Sequence, residues 1–370
     1  MSSGFETVRN EGIGSGQPGC DDDLCVACRT LGRQAALHAR VAAMKRGAWL
    51  FETIFNRPPQ EPRVAFALED DSKKAAQKMS IRERFEAHRN KAACYSCHTR
   101  AMSANVWIDP QQRLWLFWGQ SAGMQDGRFG VWAMMTAESD ATDPKWSAPR
   151  RIGDGIMMNK PTALANGDCL LTSSIWKADN SIHVYASSDQ GKTFNLRGTA
   201  NVPDSKTRGP DEPMIVERKD GSLWMLVRGQ GLAETISTDQ GRTWTPVQRI
   251  ALKHCTSRFF MRRLQSGSLL LVKHGPLDQR VPREKLTAYI SDDDGKTWLG
   301  GFLFDEREDV TYPDGVQGSD GIIRIIYDHK RTPDGEVLMA AFTEADVRAG
   351  RDVSGKVQLR VEVARLPQQP

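Results

Sequence analysis

Long apolar runs are absent from this sequence of 370 residues. A membrane-spanning helix needs about 18 or more consecutive apolar residues, so no membrane span is expected. Basic runs interleaved with aromatic residues are absent too, and the formal net charge is only +4, so no nucleic-acid partner is predicted. The N-terminus lacks a basic segment followed by an apolar one, so no signal peptide is predicted and the compartment stays open.

Cysteine is scarce beyond residue 100, where only Cys169 and Cys255 occur. Both stand alone in strand-like contexts and are expected to be buried, inert thiols. An odd total and a clustered distribution argue against a disulfide framework. The seven cysteines are Cys20, Cys25, Cys28, Cys94, Cys97, Cys169 and Cys255.

No metal site is predicted. The first three cysteines are spaced like metal ligands, but a fourth ligand is not evident nearby, which favours free thiols. Three histidines of the later chain also show no spacing typical of a metal site; they are His254, His274 and His329.

The N-terminal part divides into two predicted segments. Residues 1–41 begin with a stretch rich in Gly, Ser and Asp and are predicted to be loosely ordered. Residues 42–100 are predicted to be mainly helical, with a capping box at Ser80–Glu83. This helical segment ends in Cys94-Tyr-Ser-Cys97-His98, the pattern that attaches a c-type haem through two thiols and one His.

Residues 42–100 resemble a domain of unknown function found in bacterial cytochrome-like proteins with a CxxCH motif. The resemblance rests on Arg46–Ile54, Ala67–Asp70 and Ile81–Arg89 together with that motif. It implies a covalent haem on Cys94, Cys97 and His98. Haem attachment takes place outside the bacterial cytoplasm and no export signal is seen, so no cofactor is predicted and the haem protein is kept as an alternative.

One octet recurs three times in the second half of the chain. Its pattern is Ser-x-Asp-x-Gly-x-Thr followed by Trp or Phe, and its copies begin about fifty residues apart at Ser187, Ser237 and Ser291. A fixed period of this size indicates one supersecondary unit repeated in space. The Asp can accept bonds from the amides of its own turn, and the Gly supplies a positive φ, so each octet is predicted to be a hairpin turn of the scaffold without chemistry.

Octets of this kind are known as Asp-boxes, and residues 101–370 resemble a sialidase, or neuraminidase, β-propeller. The resemblance implies an all-β fold of the six-bladed type, preceded here by the helical segment. A degenerate fourth copy is predicted at Ser139–Trp146. Short apolar strands alternate with Gly turns throughout this part, which supports a propeller. At about fifty residues a blade, however, its length suits five blades, so the propeller is expected to be incomplete.

The resemblance also implies an active site. Sialidases use a Tyr nucleophile, activated by a Glu, and three Arg that grip the carboxylate of the substrate. Two segments, Asp211–Arg228 and Arg283–Ser291, are similar to those that carry the Glu and two of the Arg. A third, Tyr312–Gln317, is similar to the one with the Tyr. We therefore expect Tyr312 as nucleophile, Glu212 as its base, and Arg228 and Arg283 as carboxylate ligands.

Two positions depart from the family pattern. The first Arg of the sialidase set has no counterpart in register near Ser103–Asn105. For the acid/base the best match is Asp126, with Arg128 as a substitute anion contact.

The predicted function is cleavage of a terminal sialic acid or related acidic sugar from a glycan or glycoside, with retention at the anomeric carbon. Two alternatives remain open at this stage: a non-catalytic or incomplete propeller that binds carbohydrate, and the haem protein.

Overall fold

The computed structural model describes residues 100–121, 130–174, 181–202, 212–229, 231–331 and 335–365. The predicted N-terminal segments, the CxxCH motif, Asp126 and Arg128 lie outside these ranges. Among the residues described, no helix has the length and hydropathy needed to cross a membrane.

The described residues form twenty strands and one short helix, which confirms the all-β prediction. The strands are β1 (Arg100–Ile108), β2 (Leu114–Ser121), β3 (Gly130–Thr136), β4 (Arg150–Asp154), β5 (Thr162–Ala163), β6 (Cys169–Ser174), β7 (Ser181–Ser187), β8 (Asn195–Asn201), β9 (Met214–Glu217), β10 (Leu223–Gly229), β11 (Gly231–Ser237), β12 (Gln248–Arg249), β13 (Phe260–Arg263), β14 (Leu269–His274), β15 (Glu284–Ser291), β16 (Leu299–Glu308), β17 (Val310–Gln317), β18 (Ile323–His329), β19 (Glu336–Phe342) and β20 (Gln358–Arg365). The helix, α1, spans Glu344–Ala349.

The strands pair into five four-stranded antiparallel sheets, each a simple meander in chain order. These are the blades of a propeller. The six blades implied by the resemblance are therefore corrected to five in the part of the chain that the structure describes, in agreement with the repeat spacing. In a meander the connections alternate between the two ends of the sheet. The turn between the third and fourth strands thus lies at the end opposite to the start of the first strand.

The three Asp-boxes form the predicted turns between the third and fourth strands. In the second blade, Ser187 Oγ donates to Asp189 Oδ1 at 2.7 Å, and the amide of Thr193 donates to the same carboxylate at 2.9 Å. Gly191 has φ +81°, and its amide donates to Ser187 Oγ. The same bonds recur in the copies that start at Ser237 and Ser291. Each carboxylate is thus satisfied within its own turn.

Asp-box turns also connect neighbouring blades. Gly191 lies against the indole of Trp115 in the preceding blade, and Gly295 lies against that of Trp224. A side chain at either glycine would collide with these rings. The absence of a Cβ therefore lets each turn seat on the second strand of the blade before it.

The degenerate fourth copy differs from its prediction. The equivalent turn starts at Thr136, where β3 ends, rather than at Ser139. Here the amide of Glu138 donates to Thr136 Oγ1 at 3.0 Å, and Glu138 Oε2 accepts from the amide of Lys145. A Thr and a Glu replace the usual Ser and Asp, so the pattern was hidden from a search for identical residues. In the fifth blade, α1 stands where the Asp-box would be, with Thr343 as its N-cap.

The second strand of each central blade lies in the core. Every residue of β6, β10 and β14 is buried, because neighbouring blades cover both faces of these strands. Their nearly continuous apolar sequences are typical of strands buried on both sides. Apolar side chains between the third, fourth and fifth blades form the largest cluster, which includes Trp224, Phe260, Leu271, Tyr289 and Phe304.

Candidate active site

The candidate site lies at the end of the propeller opposite to the Asp-box turns. Here the first strands begin and the second strands end. In three of the blades a polar residue directly precedes a proline at or near the start of the first strand: Lys160, Glu212 and Tyr312. Proline holds the preceding residue out of the helical region, so the chain enters the strand extended or kinked. We call Glu212, Arg228, Arg283 and Tyr312 the mouth cluster.

Three members of the mouth cluster are in direct contact. Tyr312 Oη donates to Glu212 Oε1 at 3.3 Å, and Arg228 Nη1 donates to Tyr312 Oη at 3.2 Å. Arg228 Nη1 also forms a salt bridge of 2.5 Å with Glu212 Oε1. Burial lowers the pKa of Arg228, but Glu212 and Tyr312 together raise it by more, so the pKa is raised overall and the guanidinium stays charged.

A single carbonyl positions both arginines of the mouth cluster. Thr256 O, in the segment before β13, accepts from Nη2 of Arg228 and from Nη2 of Arg283, each at 3.1 Å. Arg283 differs from Arg228 in having no carboxylate within salt-bridge distance among the described residues. Its charge is therefore available to an anion in the mouth.

Tyr312 has an unusual backbone conformation. Its φ is +55°, and the register of β17 shifts between Thr311 and Asp314. A non-glycine residue in this region costs about 1–3 kcal/mol and persists only where its surroundings hold it. Ser103 in β1 has the same conformation, with φ +56°, beside a register shift between Met102 and Asn105, so this strain recurs at the first strand of two blades.

Arg331 covers the ring of Tyr312. Its guanidinium carbon lies 3.9 Å from the ring centroid, a close cation–π contact, and its Nη2 pairs with Asp328 at 2.7 Å. Burial raises the pKa of Asp328, while the nearby Arg331 opposes that rise. The side chain of Arg331 is about half exposed (49%), so it reaches the solvent side of the mouth.

A second charged group lies deeper in the centre. Asp314 Oδ1 forms a salt bridge of 2.9 Å with Nζ of Lys160 and lies 3.6 Å from Nη2 of Arg258. Lys160 belongs to the second blade and Asp314 to the fifth, so this pair spans the axis. Arg258 is held by Asn159, whose Oδ1 accepts from Nε at 2.8 Å.

Several polar atoms of the site are buried without a hydrogen-bond partner among the residues described: Glu212 Oε2, Arg228 Nε and Arg258 Nη2. Such atoms are costly in a folded protein unless a ligand or a water completes them. They indicate a mouth that is arranged for an additional polar molecule.

The structure thus brings together the four described members of the predicted site. Three further residues around Tyr312 were not predicted: Thr256, Asp328 and Arg331. Asp328 ends a stretch, Ile325–Asp328, that belongs to the segment similar to the one with the Tyr, but no role was predicted for it. Nothing in the sequence around Thr256 or Arg331 signals a site. They are found because β13 and β18 adjoin β17 in space.

Comparisons with known proteins agree with this architecture. A BNR repeat-like domain matches residues 77–325. The family PSCyt3, a protein of unknown function (DUF1588), matches residues 29–106, in line with the cytochrome-like resemblance. No curated protein matches the chain.

Sialidases are among the similar solved structures. A Hadza microbial sialidase has a TM-score of 0.55 and 19% identity, and the match covers 70% of this chain and 55% of that one. A protein of unknown function from Dyadobacter fermentans has a TM-score of 0.49 and 15% identity, with 62% and 72% covered. Trypanosoma rangeli sialidase in complex with sialic acid has a TM-score of 0.44 and 15% identity, with 64% and 43% covered.

The first of these structures carries the comparison of folds, and at this identity it speaks for the fold alone. This chain spans only about half the length of that sialidase. The family match extends over most of the chain, and the five blades carry the Asp-box turns described above. The chain therefore belongs to the BNR repeat-like domain family, with a propeller of the sialidase type.

Proposed function

We propose that this protein is a glycoside hydrolase that removes a terminal sialic acid or a related acidic sugar and retains the anomeric configuration. The observation that carries the proposal is the contact of Tyr312 Oη with both Glu212 Oε1 and Arg228 Nη1. A hydroxyl placed between a carboxylate acceptor and a guanidinium donor can lose its proton as it attacks.

The steps follow from this geometry. Tyr312 Oη attacks the anomeric carbon while Glu212 takes its proton, and the bond to the leaving group breaks. A covalent glycosyl-tyrosine forms, which water then hydrolyses. A neutral tyrosine suits a substrate whose anomeric carbon bears a carboxylate, because an anionic nucleophile would be repelled.

An acidic substrate is supported by the charges around the tyrosine. Arg283 has no carboxylate partner in the described part of the chain. Thr256 O orients both Arg228 and Arg283 by accepting a hydrogen bond from each. A planar guanidinium can hold a carboxylate through two parallel bonds. We assign the substrate carboxylate to Arg283, with Arg228 beside it.

Arg331 supplies a third cation. It stacks on Tyr312 and is partly exposed, so an anion over the ring would meet it. In this assignment it compensates for the first Arg of the sialidase pattern, which this sequence lacks.

The acid/base has two candidates. Asp126 is the position that the family resemblance indicates, and it lies outside the described residues. Asp328 lies beside the site, and burial raises the pKa of its carboxyl. A group that donates a proton near neutral pH needs such a raised pKa. The Asp126→Asn and Asp328→Asn variants distinguish them. The enzyme whose acid has been replaced should lose most of its activity on substrates with poor leaving groups and keep it on substrates with activated leaving groups.

The test of the function is hydrolysis of a fluorogenic sialoside beside a panel of uronic and other acidic glycosides. The full chain is compared with Tyr312→Phe and with Tyr185→Phe. The second change removes a hydroxyl of the second blade that accepts from the backbone amide of Asp154 in the first blade. We expect turnover that is lost in the first variant and kept in the second.

A different outcome favours the binding module. If the folded chain turns over none of these substrates but binds the free acidic sugar, and Arg283→Met abolishes the binding, the mouth recognises a glycan without cleaving it. Arg283, which has no carboxylate partner among the described residues, supports this second function as well.

A further inference from the structure

A second group of chemistry-bearing side chains lies beneath the mouth cluster. His254 and Cys255 directly precede Thr256, and His274 ends β14 in the same blade. One donor atom from each of the three lies within 4.8 Å of the other two. All three residues are buried, at 1%, 6% and 0% exposure, so water does not compete freely for these atoms.

The hydrogen bonds of the two rings fix which nitrogen carries the proton. His254 Nε2 lies 3.0 Å from Ser257 O, and His274 Nε2 lies 2.8 Å from Val310 O. A carbonyl oxygen can only accept, so both Nε2 atoms carry hydrogen. In a neutral imidazole the lone pair then stands on Nδ1.

Both Nδ1 atoms are buried without a hydrogen-bond partner among the residues described. The ring centroids are 5.4 Å apart, so the two orphaned acceptors belong to one small space. A buried acceptor left without a donor costs about 1–3 kcal/mol. Two of them beside a thiol call for a common partner that accepts electron pairs, which is what a metal ion does.

We propose that His254 Nδ1, His274 Nδ1 and Cys255 Sγ bind a single thiophilic transition-metal ion, with Cu⁺ preferred. Two imidazoles and one thiolate are a donor set for copper or zinc rather than for magnesium or calcium. Backbone carbonyls that hold the far nitrogen of each imidazole are the usual second layer of such a site. Bonds of about 2.0–2.3 Å would draw the donors together by roughly 1 Å.

The surroundings favour a low charge on the ion. Lys273 is fully buried, and its ammonium donates to the carbonyls of His274, Gly275 and Pro276 at 2.6–2.8 Å. Arg228 and Arg283 both donate to the carbonyl of Thr256, the residue that follows Cys255. Cu⁺ with one thiolate adds no net charge to this cationic region, whereas Zn²⁺ with the same ligands adds one positive charge.

The site would also brace the mouth. Its three ligands connect the segment before β13 with the end of β14, and their second layer reaches Val310 at the start of β17. Thr256, whose carbonyl orients Arg228 and Arg283, directly follows the proposed ligand Cys255. The proposal is nevertheless independent of catalysis, since it rests on the ligands alone.

The experiment measures bound copper and zinc. The full chain and three variants are purified without oxygen, incubated with Cu⁺ and Zn²⁺ together in the presence of a competing chelator, desalted and analysed by mass spectrometry of the elements. Cys255→Ser removes the thiolate. His254→Gln keeps a donor near the position of Nε2 for Ser257 O but removes the Nδ1 ligand. Cys169→Ser is the matched control, because Cys169 is the other buried free cysteine described and belongs to no such cluster.

We expect the parent and Cys169→Ser to hold one more equivalent of copper than Cys255→Ser and His254→Gln. Comparison between variants cancels metal bound by the N-terminal cysteines. X-ray absorption of the copper-loaded parent, minus that of Cys255→Ser, should show one sulfur and two nitrogen neighbours.

Equal copper in all four proteins would overturn the site. Zinc in preference to copper at the same three residues would overturn the charge argument. If Cys255→Ser does not fold, the His254→Gln variant and the absorption spectrum of the parent decide the matter.

Discussion

The two ends of the propeller differ in how far their charged side chains are provided with hydrogen-bond partners. At the Asp-box end, Asp189, Asp239 and Asp293 are half-buried, and each is satisfied by donors of its own turn. At the mouth, Glu212 and Arg228 are buried, and each keeps a polar atom without a partner among the described residues. The first end is complete as it stands, whereas the second is arranged for something else to bind.

This contrast explains why the repeat octets identify the fold but not the activity. Their bonds are local, within five residues, so they recur wherever the blade recurs. The mouth contacts join residues as far apart in sequence as Glu212 and Tyr312, so they occur once. Substitutions at the two ends should therefore affect different properties of the protein.

The largest effect is expected on catalysis at the mouth. Glu212→Gln keeps the shape but removes the base that accepts the tyrosine proton, so kcat should fall by about 10²–10⁴. Glu217→Gln, at the other end of the same strand β9, should leave kcat within a factor of two or so. Initial rates on the best acidic glycoside measure both. A Glu212→Gln enzyme as active as the parent would remove Glu212 from the mechanism.

Stability should respond strongly to removal of one buried charge. Arg228→Met leaves the carboxylate of Glu212, which is fully buried, without its partner, and this should cost about 3–5 kcal/mol. The double variant Arg228→Met with Glu212→Gln should recover most of the loss, because neither position then carries a charge. Urea unfolding of the single and double variants measures the free energies. Equal losses in both would show that the cost comes from packing rather than from charge.

At the other end, steric fit between blades should matter more than backbone conformation. Gly295 and Gly267 have nearly the same φ, +89° and +87°, but a Cβ would lie 2.4 Å from Trp224 at Gly295 and in open space at Gly267. Gly267→Ala should cost about 1–2 kcal/mol for its backbone alone. Gly295→Ala should lose about 1–3 kcal/mol more through the collision. Thermal unfolding of the pair tests this, and equal midpoints would refute the interlocking of blades.

The smallest effect is expected on the stability of the protein at low pH. The pKa of Asp293 is lowered to about 2 by bonds from Thr297 and Ser291, against an ordinary value of 3.8. Between these pH values the unfolded chain binds more protons than the folded one, so this contribution to stability is present above about pH 4 and is lost as the pH falls. Asp293→Asn should show a shallower fall of the unfolding midpoint over this range than the parent. Asp352→Asn, at an exposed turn outside the Asp-boxes, serves as the control. Parallel curves for Asp293→Asn and the parent would assign the acid sensitivity to other carboxylates.

Much of the fold could be predicted from the sequence because its signals are local. The octets give the turns, and the apolar runs of β6, β10 and β14 give the buried second strands. The fourth turn was placed three residues late, since Thr136 and Glu138 carry the same bonds with different side chains. The number of blades followed from the spacing rather than from the family.

Residues of the site could be predicted only where the sequence matches a pattern of the sialidase family. Glu212, Arg228, Arg283 and Tyr312 are in family order, and the structure brings them together, although their roles stay predictions. Arg331 was not foreseen, because its relation to Tyr312 depends on the pairing of β17 with β18. The grouping of His254 with His274 could not be seen in the sequence for a similar reason. His254 and His274 are twenty residues apart in sequence, and only the return of β14 places them side by side.

The seating of Gly191 on Trp115, and of Gly295 on Trp224, gives the propeller a direction of assembly. Each of these two turns packs on an indole of the blade that precedes it in the chain. We therefore expect blades to dock in the order of synthesis, each on a finished neighbour. The mouth, whose residues come from the third, fourth and fifth blades, would then be the last part of the protein to form.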